Sequence, residues 1–284
     1  MNIAVLSDIH GNYVALVKCI EYALARDIDT FIFLGDYIGE LAYPQKTMEV
    51  LYGLREQCNC YFVKGNKEDY WLNYKKSNWS GLRKFASTTG CLIYAYENLT
   101  EKDLHFFEGM SHVSEVLLPG YPAITICHGS PDSAREDMKA GKENTYKIME
   151  KEKNSLILCG HTHRREKLEH AGTTLLNVGS VGISLDGEAK AQFAILRSGE
   201  RGWDHEFVSV DYDREKVISE LYTSGLVSRA PYWCKVTEAV LRKGTTSHGS
   251  VLGKAMELCK RDRGVCNWPE IPEQYWEMAV AEML

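Results

Sequence analysis

Nowhere in the chain does an apolar run approach the roughly 18 residues that a membrane-spanning helix needs. The opening Met1-Asn2-Ile3-Ala4-Val5-Leu6 is apolar too briefly for a signal peptide and lacks a basic start, so it reads as a first strand. Basic excess is also missing. The chain carries 33 Lys and Arg against 39 Asp and Glu, a net charge of -6. That excludes the broad cationic footprint of a protein gripping extended nucleic acid, though not a local basic pocket. Proline is scarce, 7 in 284 residues, and there is no repeat or low-complexity tract, which excludes a collagen-like chain. A disulfide framework is disfavoured too. The nine cysteines are odd in number and follow no secretion signal, so free thiols in a reducing cytoplasm are expected. Cys127 and Cys159 sit in apolar runs and read as small buried hydrophobes. Cys58-Asn59-Cys60 with the distant Cys259 and Cys266 matches no standard zinc spacing.

What is present is ordinary globular composition, 44% hydrophobic and 25% charged. The length allows one large domain, or one plus a small partner. Residues 2–7, 31–34 and 60–63 read as buried strands, and 13–26 and 44–57 as amphipathic helices between them. This alternation predicts an α/β fold with βαβ crossovers. Residues 69–110 look helical and aromatic, with a helix over 101–108 behind Thr100 as N-cap. Residues 113–118 and 123–127 flank a Pro-Gly-Tyr-Pro turn and predict a hairpin. A helix follows over 143–152, then strands at 155–159, 166–170, 173–178, 189–196 and 205–210. Beyond residue 211 the texture turns helical (213–224, 233–243, 250–262 and 272–283). We therefore expect a domain over 1–210 and a helical C-terminal extension over 211–284.

The chemistry gathers at the C-terminal ends of the expected strands, the edge where open α/β sheets bind ligands. There lie Asp8-Ile9-His10-Gly11-Asn12, Gly35-Asp36-Tyr37-Ile38-Gly39, Gly65-Asn66-Lys67-Glu68, Cys127-His128-Gly129 and Gly160-His161-Thr162-His163. Asp, His and Asn donors suit Mn, Fe, Zn, Co or Ni. In extended or turning backbone, residues two apart share a side, so both members of Asp8/His10 and of His161/His163 can reach one cluster. Any one element alone is a common turn; the five in order are not.

That ordered set resembles the calcineurin-like metallophosphoesterase superfamily, over about residues 1–180. The resemblance implies a four-layer αββα sandwich, two mixed sheets between helices, and a site for two transition-metal ions. One metal would be held by Asp8, His10, Asp36 and His163. The other would be held by Asp36, Asn66, His128 and His161, with Asp36 bridging. Such a pair clamps an in-line phosphoryl displacement and deprotonates a bridging water, so no protein nucleophile is required. The implied activity is hydrolysis of a phosphodiester or phosphoanhydride in a small phosphorylated substrate such as a nucleotide, with Asp36, Lys67 and His128 as catalytic residues. A homo-oligomer is compatible with this reading.

The departure from the family pattern is Lys67, where most members carry His. Lysine supplies charge to a phosphate oxygen but is a poor general acid at pH 7. Leaving groups needing little protonation are therefore expected, unless Lys67 is a solvated rim residue. Asn12, Asn66, Lys67 and Arg164 are the candidate substrate contacts, Asn12 serving the site or only its turn. Arg165 adjoins Arg164. Asn177-Val178-Gly179-Ser180 resembles a loop that closes the family's site. Tyr70, Trp71, Tyr74 and Trp79 would stack a base or fill the core. In the tail, Trp233, Trp268, Tyr275 and Trp276 would cap the site, mediate dimerisation or complete the core. Two other readings share the fold: a Ser/Thr protein phosphatase or phosphomonoesterase, and a metal-bound scaffold without turnover. A complete ligand set disfavours the scaffold, and the missing His disfavours the protein phosphatase.

Overall fold

The computed structural model describes residues 1–77, 82–199 and 202–284, so Trp79 lies outside the described residues. Strands β1 (Asn2–Leu6), β2 (Thr30–Phe33) and β3 (Asn59–Phe62) alternate with helices α1 (Tyr13–Leu24) and α2 (Pro44–Arg55). The β1–β2 and β2–β3 pairs are parallel, with Ala4 opposite Phe31 and Phe31 opposite Cys60. Two βαβ crossovers thus open the fold, as the alternating pattern predicts. The 69–110 stretch divides into α3 (Asn66–Lys76), α4 (Gly90–Glu97) and α5 (Glu101–Glu108). Helix α3 starts three residues earlier than its hydrophobic pattern suggests. Glu68 reaches back to the N–H of Gly65 at 2.7 Å and closes that first turn.

The second half builds β4 (Val113–Val116), β5 (Ile124–Cys127), α6 (Glu143–Lys151), β6 (Leu156–Cys159), β7 (Arg165–His170) and β8 (Thr173–Val178). Strands β4 and β5 pair antiparallel, as do β7 and β8, whereas β5–β6 and β6–β8 are parallel. The chain then returns to the first sheet through β9 (Ala191–Gly199), antiparallel to β1, and β10 (Gly202–Val210). The result is two mixed five-stranded sheets, ordered β10-β9-β1-β2-β3 and β4-β5-β6-β8-β7.

Strand alternation sorts the layers. Ile3 and Val5 of β1 point between the sheets with Ile32, Ile126, Leu158 and Leu196. Ala4 and Leu6 point the other way, onto Leu16, Cys19, Met48 and Leu51 of α1 and α2. On the outer face of the second sheet, Ile148 and Met149 of α6 cover Ile157 and Leu175. Burying each such aliphatic side chain contributes about 1.5–3 kcal/mol. The arrangement is the four-layer αββα sandwich.

Helices α7 (Arg214–Thr223), α8 (Leu226–Arg229), α9 (Pro231–Lys243), α10 (His248–Arg263) and α11 (Glu273–Met283) form the C-terminal extension. Pro231 at the first turn of α9 starts that helix two residues before the expected 233. The apolar core of the extension is shared with Val14, Leu41, Cys91, Tyr94 and Ile183, so it packs on the sandwich rather than on itself alone. No described helix is long and apolar enough to cross a membrane. All nine cysteines are free. Cys58 and Cys60 pack under α1 and α2 while Cys259 and Cys266 belong to the C-terminal core, so the two pairs do not meet.

Candidate metal centre and its pocket

Each singled-out cluster follows a strand end: Asp8 after β1, Asp36 after β2, Asn66 after β3, His128 after β5, and His161 and His163 after β6. Of the two expected backbones, extended or turning, the loops use the turning one to aim these side chains. Asp8, His10, Asp36, His161 and His163 all have left-handed backbone, with φ of 54, 53, 52, 68 and 57°. The i, i+2 pairs converge because the chain turns sharply at both members, not because it runs extended. Glycines permit the tight stacking. Gly35 has φ +94°, and a Cβ on Gly65 would run into the Asp36 carboxylate.

Inside the cluster, Asp8 Oδ2 is anchored by the Ser7 hydroxyl at 2.6 Å and the His161 N–H at 2.9 Å. Asp8 Oδ1 is buried and receives no hydrogen bond. It faces the Nε2 atoms of His163, His10 and His128 at 3.1, 3.6 and 3.9 Å. The Nε2 atoms of His10 and His163 are only 3.0 Å apart. The other ring nitrogens are engaged outside. His128 Nδ1 donates to Leu34 O at 2.8 Å and His163 Nδ1 to Ile183 O at 3.1 Å, while His10 Nδ1 lies 2.6 Å from Glu40 Oε2. These partners assign the protons to Nδ1 and turn the Nε2 lone pairs inward. Burial opposes charge on His10, yet Glu40, Asp8 and Asp36 push it up to about 10, and Asp36 and Asp8 likewise raise His128. The converging nitrogens and the orphaned carboxylate oxygen thus demand positive charge between them, from protons or from a metal that displaces them. The donor set therefore fits a metal centre.

Among the described residues two compact donor groups emerge, Asp8/His10/His163 and Asp8/Asp36/His128. Asp36 faces both: Oδ2 lies 3.7 Å from His10 Nε2, and Oδ1 lies 3.5 Å from His128 Nε2. Asn66 Oδ1 is 3.2 Å from His128 Nε2. His161 stands beside these groups. Its ring centre is 5.1 Å from that of His128, and its Nε2 lies 3.6 Å from Asp137 Oδ1. Burial and the neighbouring His128 hold the His161 imidazole below its ordinary pKa.

Three groups around the cluster escaped the sequence reading or had no role in it. Glu68 accepts from the N–H groups of Asp36 and Tyr37 at 3.0 and 2.9 Å as well as from Gly65, tying the second loop to the third. Burial, reinforced by the Asp36 charge, pushes its carboxyl up to about 7. Glu40 is 3% exposed and contacts both His10 and the Lys67 ammonium. Burial alone would raise its pKa, but Lys67 and His10 outweigh it and hold Glu40 ionised. Lys67 is no solvated rim residue. Its side chain is 15% exposed and paired, and its N–H donates to Asp36 Oδ1 at 2.8 Å. Burial opposes its charge, yet Glu40 and Asp36 keep the ammonium protonated beyond the usual lysine range. The third group, His248, comes from α10.

The cluster opens into a cavity of ≈ 680 Å³. Lys67, Asn66, Arg164 and Tyr70 line it, as do Trp233 and His248 from the extension. Burial pushes the His248 imidazole down to about 3. Its Nε2 meets the Thr237 hydroxyl at 2.8 Å, and its ring stacks on Trp233 at 4.7 Å. The exposed Arg164 guanidinium has no ion pair among the described residues. Arg165 does not join it, being held by Asp186 and Glu188 at 2.8 and 3.1 Å.

Asn12 departs from the expected substrate contact. Its Oδ1 accepts from Ala15 N at 3.1 Å, capping α1, and its Nδ2 donates to Gly182 O at 3.0 Å. Asn177 holds the His161 loop by donating to Gly160 O and, at 3.0 Å, to Thr162 Oγ1. Of the aromatic group, Trp71 is buried and donates to Leu92 O at 3.2 Å, and Tyr74 packs edge-on against Tyr96. Only Tyr70 of the described three reaches the cavity. In the tail, Trp276 fills the core and Trp268 is exposed, leaving Trp233 at the cavity.

Residues 1–200 match the family model described as the calcineurin-like phosphoesterase superfamily domain. An uncharacterized protein of Methanocaldococcus jannaschii is 27% identical over 246 residues, covering 81% of this chain and 94% of its own. Among solved structures, a hypothetical protein of Pyrococcus horikoshii superposes with a TM-score of 0.73 at 17% identity, over 87% of this chain and 99% of its own. A metallophosphoesterase from Sphaerobacter thermophilus gives 0.65 at 20% identity, over 86% and 100%. At those identities the two superpositions speak for the fold.

Proposed function

The chain belongs to the calcineurin-like phosphoesterase superfamily, and from that premise we propose a metal-dependent hydrolase of a phosphodiester or phosphoanhydride in a small, nucleotide-like substrate. In this reading residues 1–210 carry the chemistry and 211–284 are an appended helical module. Asp8, His10, Asp36 and His163 would hold one metal, and Asp36, Asn66, His128 and His161 the other, with Asp36 shared. Bound there, the ions would supply Lewis acidity and lower the pKa of water toward neutrality.

The protein's own groups prepare the site. Leu34 O, Ile183 O and Glu40 orient three imidazoles, and Glu68 fixes the loop that carries Asp36. The unpaired Arg164 at the cavity wall suits a phosphate oxygen. Lys67 contributes charge from within a pair, so its pull on a phosphate is moderated by Glu40. It does not readily give up a proton, which favours leaving groups that depart as anions.

The observation that carries this reading is the hydrogen-bond-free Asp8 Oδ1 facing three Nε2 atoms. The test strips the protein and adds back Mn, Fe, Co, Ni, Zn or Mg. Substrates are an aryl monoester, an aryl diester, a cyclic nucleotide and a dinucleoside tetraphosphate, with Asp36→Asn as control. We expect metal-dependent turnover of the diester or the tetraphosphate that Asp36→Asn loses together with its metal. Failure of the wild type to bind metal would undo the site.

A further inference from the structure

The cavity is far larger than a phosphate group requires, and the family match ends before one of its walls begins. The catalytic side comes from strand-end loops before residue 200. The facing side comes from Trp233 of α9 and Ser247, His248, Gly249 and Leu252 at the start of α10. The two sides differ in character. The catalytic side holds Asp36, Glu40, Lys67, Lys139 and Arg164. The cavity-lining residues of the extension include no Lys, Arg, Asp or Glu. Helix α10 is rich in charge, with Lys254, Glu257, Lys260, Arg261, Asp262 and Arg263, yet none of these lines the cavity.

Resting on the phosphoesterase reading, we propose that this wall is a subsite for the organic arm of the substrate, an uncharged, ring-bearing group of nucleoside size esterified to the phosphate. Three observations carry it. The Trp233–His248 stack, at 4.7 Å and 30°, gives the wall a rigid aromatic base. Leu252, with Leu185 from the loop after β8, lines the cavity half-buried, leaving apolar surface for a ring to cover. Thr245, exposed in the lining, adds a hydroxyl that a sugar hydroxyl can meet, whereas the Ser250 hydroxyl is engaged with Ser247 in the cap of α10. A volume of ≈ 680 Å³ accommodates a phosphate with such an arm, within the range of small-molecule sites. A second charged arm would instead meet neutral surface and lose its hydration without compensation. The C-terminal helices would therefore decide which phosphoester the loops act on.

The experiment compares two diesters with one leaving group: thymidine 5′-(p-nitrophenyl) phosphate and methyl p-nitrophenyl phosphate. Wild type is expected to prefer the thymidine ester in kcat/KM by about tenfold or more, the scale of specificity that apolar pockets supply. Leu252→Ser removes apolar wall. Gly249→Trp projects a ring toward the arm, from a position where a Cβ meets nothing nearer than Ser247 Oγ at 4.0 Å. Both should cut the thymidine-to-methyl ratio about tenfold. Calorimetry supplies a second readout that needs no turnover. Thymidine 5′-monophosphate should bind tighter than inorganic phosphate, and both variants should erase that advantage. A ratio and an affinity difference unchanged within twofold in both variants would overturn the subsite. If wild type cleaves neither ester while the calorimetric difference behaves as stated, the subsite stands and the diesterase half of the hydrolase reading falls.

Discussion

Removing Glu40 separates two contributions that the structure places on one carboxylate. Glu40 is buried and touches both the Lys67 ammonium and, at 2.6 Å, His10 Nδ1. Glu40→Ala leaves Lys67 charged, enclosed and without its partner, and breaking a buried pair on one side costs about 3–5 kcal/mol. Against a total stability on the order of 5–15 kcal/mol, that lowers the urea midpoint of metal-free protein substantially. The same substitution frees the His10 ring to rotate and should weaken metal binding roughly 10–100-fold. Adding Lys67→Met removes the stranded charge. The double variant should recover most of the lost stability but none of the lost metal affinity, because His10 still lacks its carboxylate. The assays are urea unfolding in chelator and calorimetric titration with Mn. A Glu40→Ala penalty below about 1 kcal/mol would refute the pairing argument, and so would a double variant in which the two penalties add.

Asn12→Ala should cost about 1 kcal/mol of stability by uncapping α1, seen as a lower thermal midpoint, with no corresponding rise in KM. Gly160→Ala places a methyl against the Ser7 hydroxyl and Asp8 Oδ2, so it should destabilise by about 1–3 kcal/mol and reduce the metal content of purified protein. Lys67→His restores a group able to donate a proton near pH 7. It should raise the rate on an alkyl monoester relative to a dinucleoside polyphosphate, and an unchanged ratio would show that Lys67 does not set leaving-group preference.

The fold was legible because its signals are local. Short continuous apolar runs and helical spacing placed the strands and helices, and the metal-donor residues stood at strand ends where topology gathers them. The structure adds what depends on distance across the chain. Glu40 is an unremarked acid after a Gly-Asp turn until folding brings Lys67 and His10 to it. Asn12 looks like a site residue until Gly182, from a loop 170 residues away, occupies its amide. His248 and Trp233 carry no motif, and only the packing of α9 and α10 on Leu41, Cys91 and Ile183 brings them to the cavity. The left-handed turns were equally hidden, since Asp and His advertise them far less than glycine does.

Those turns bear on how the molecule comes apart. Five of its proposed ligands sit in backbone that a non-glycine residue enters at a cost of about 1 kcal/mol or more each. The sheets and the Glu68 and Asn177 hydrogen bonds hold them there, so the catalytic rim is a loaded spring clamped by a relaxed frame. Without metal to add to the clamp, that rim should be the first part to open, and amide hydrogen exchange there should outrun exchange in β1 and β2. Stabilising this protein by easing its loops would then loosen the geometry that gathers the ligands. The room for improvement lies in the frame.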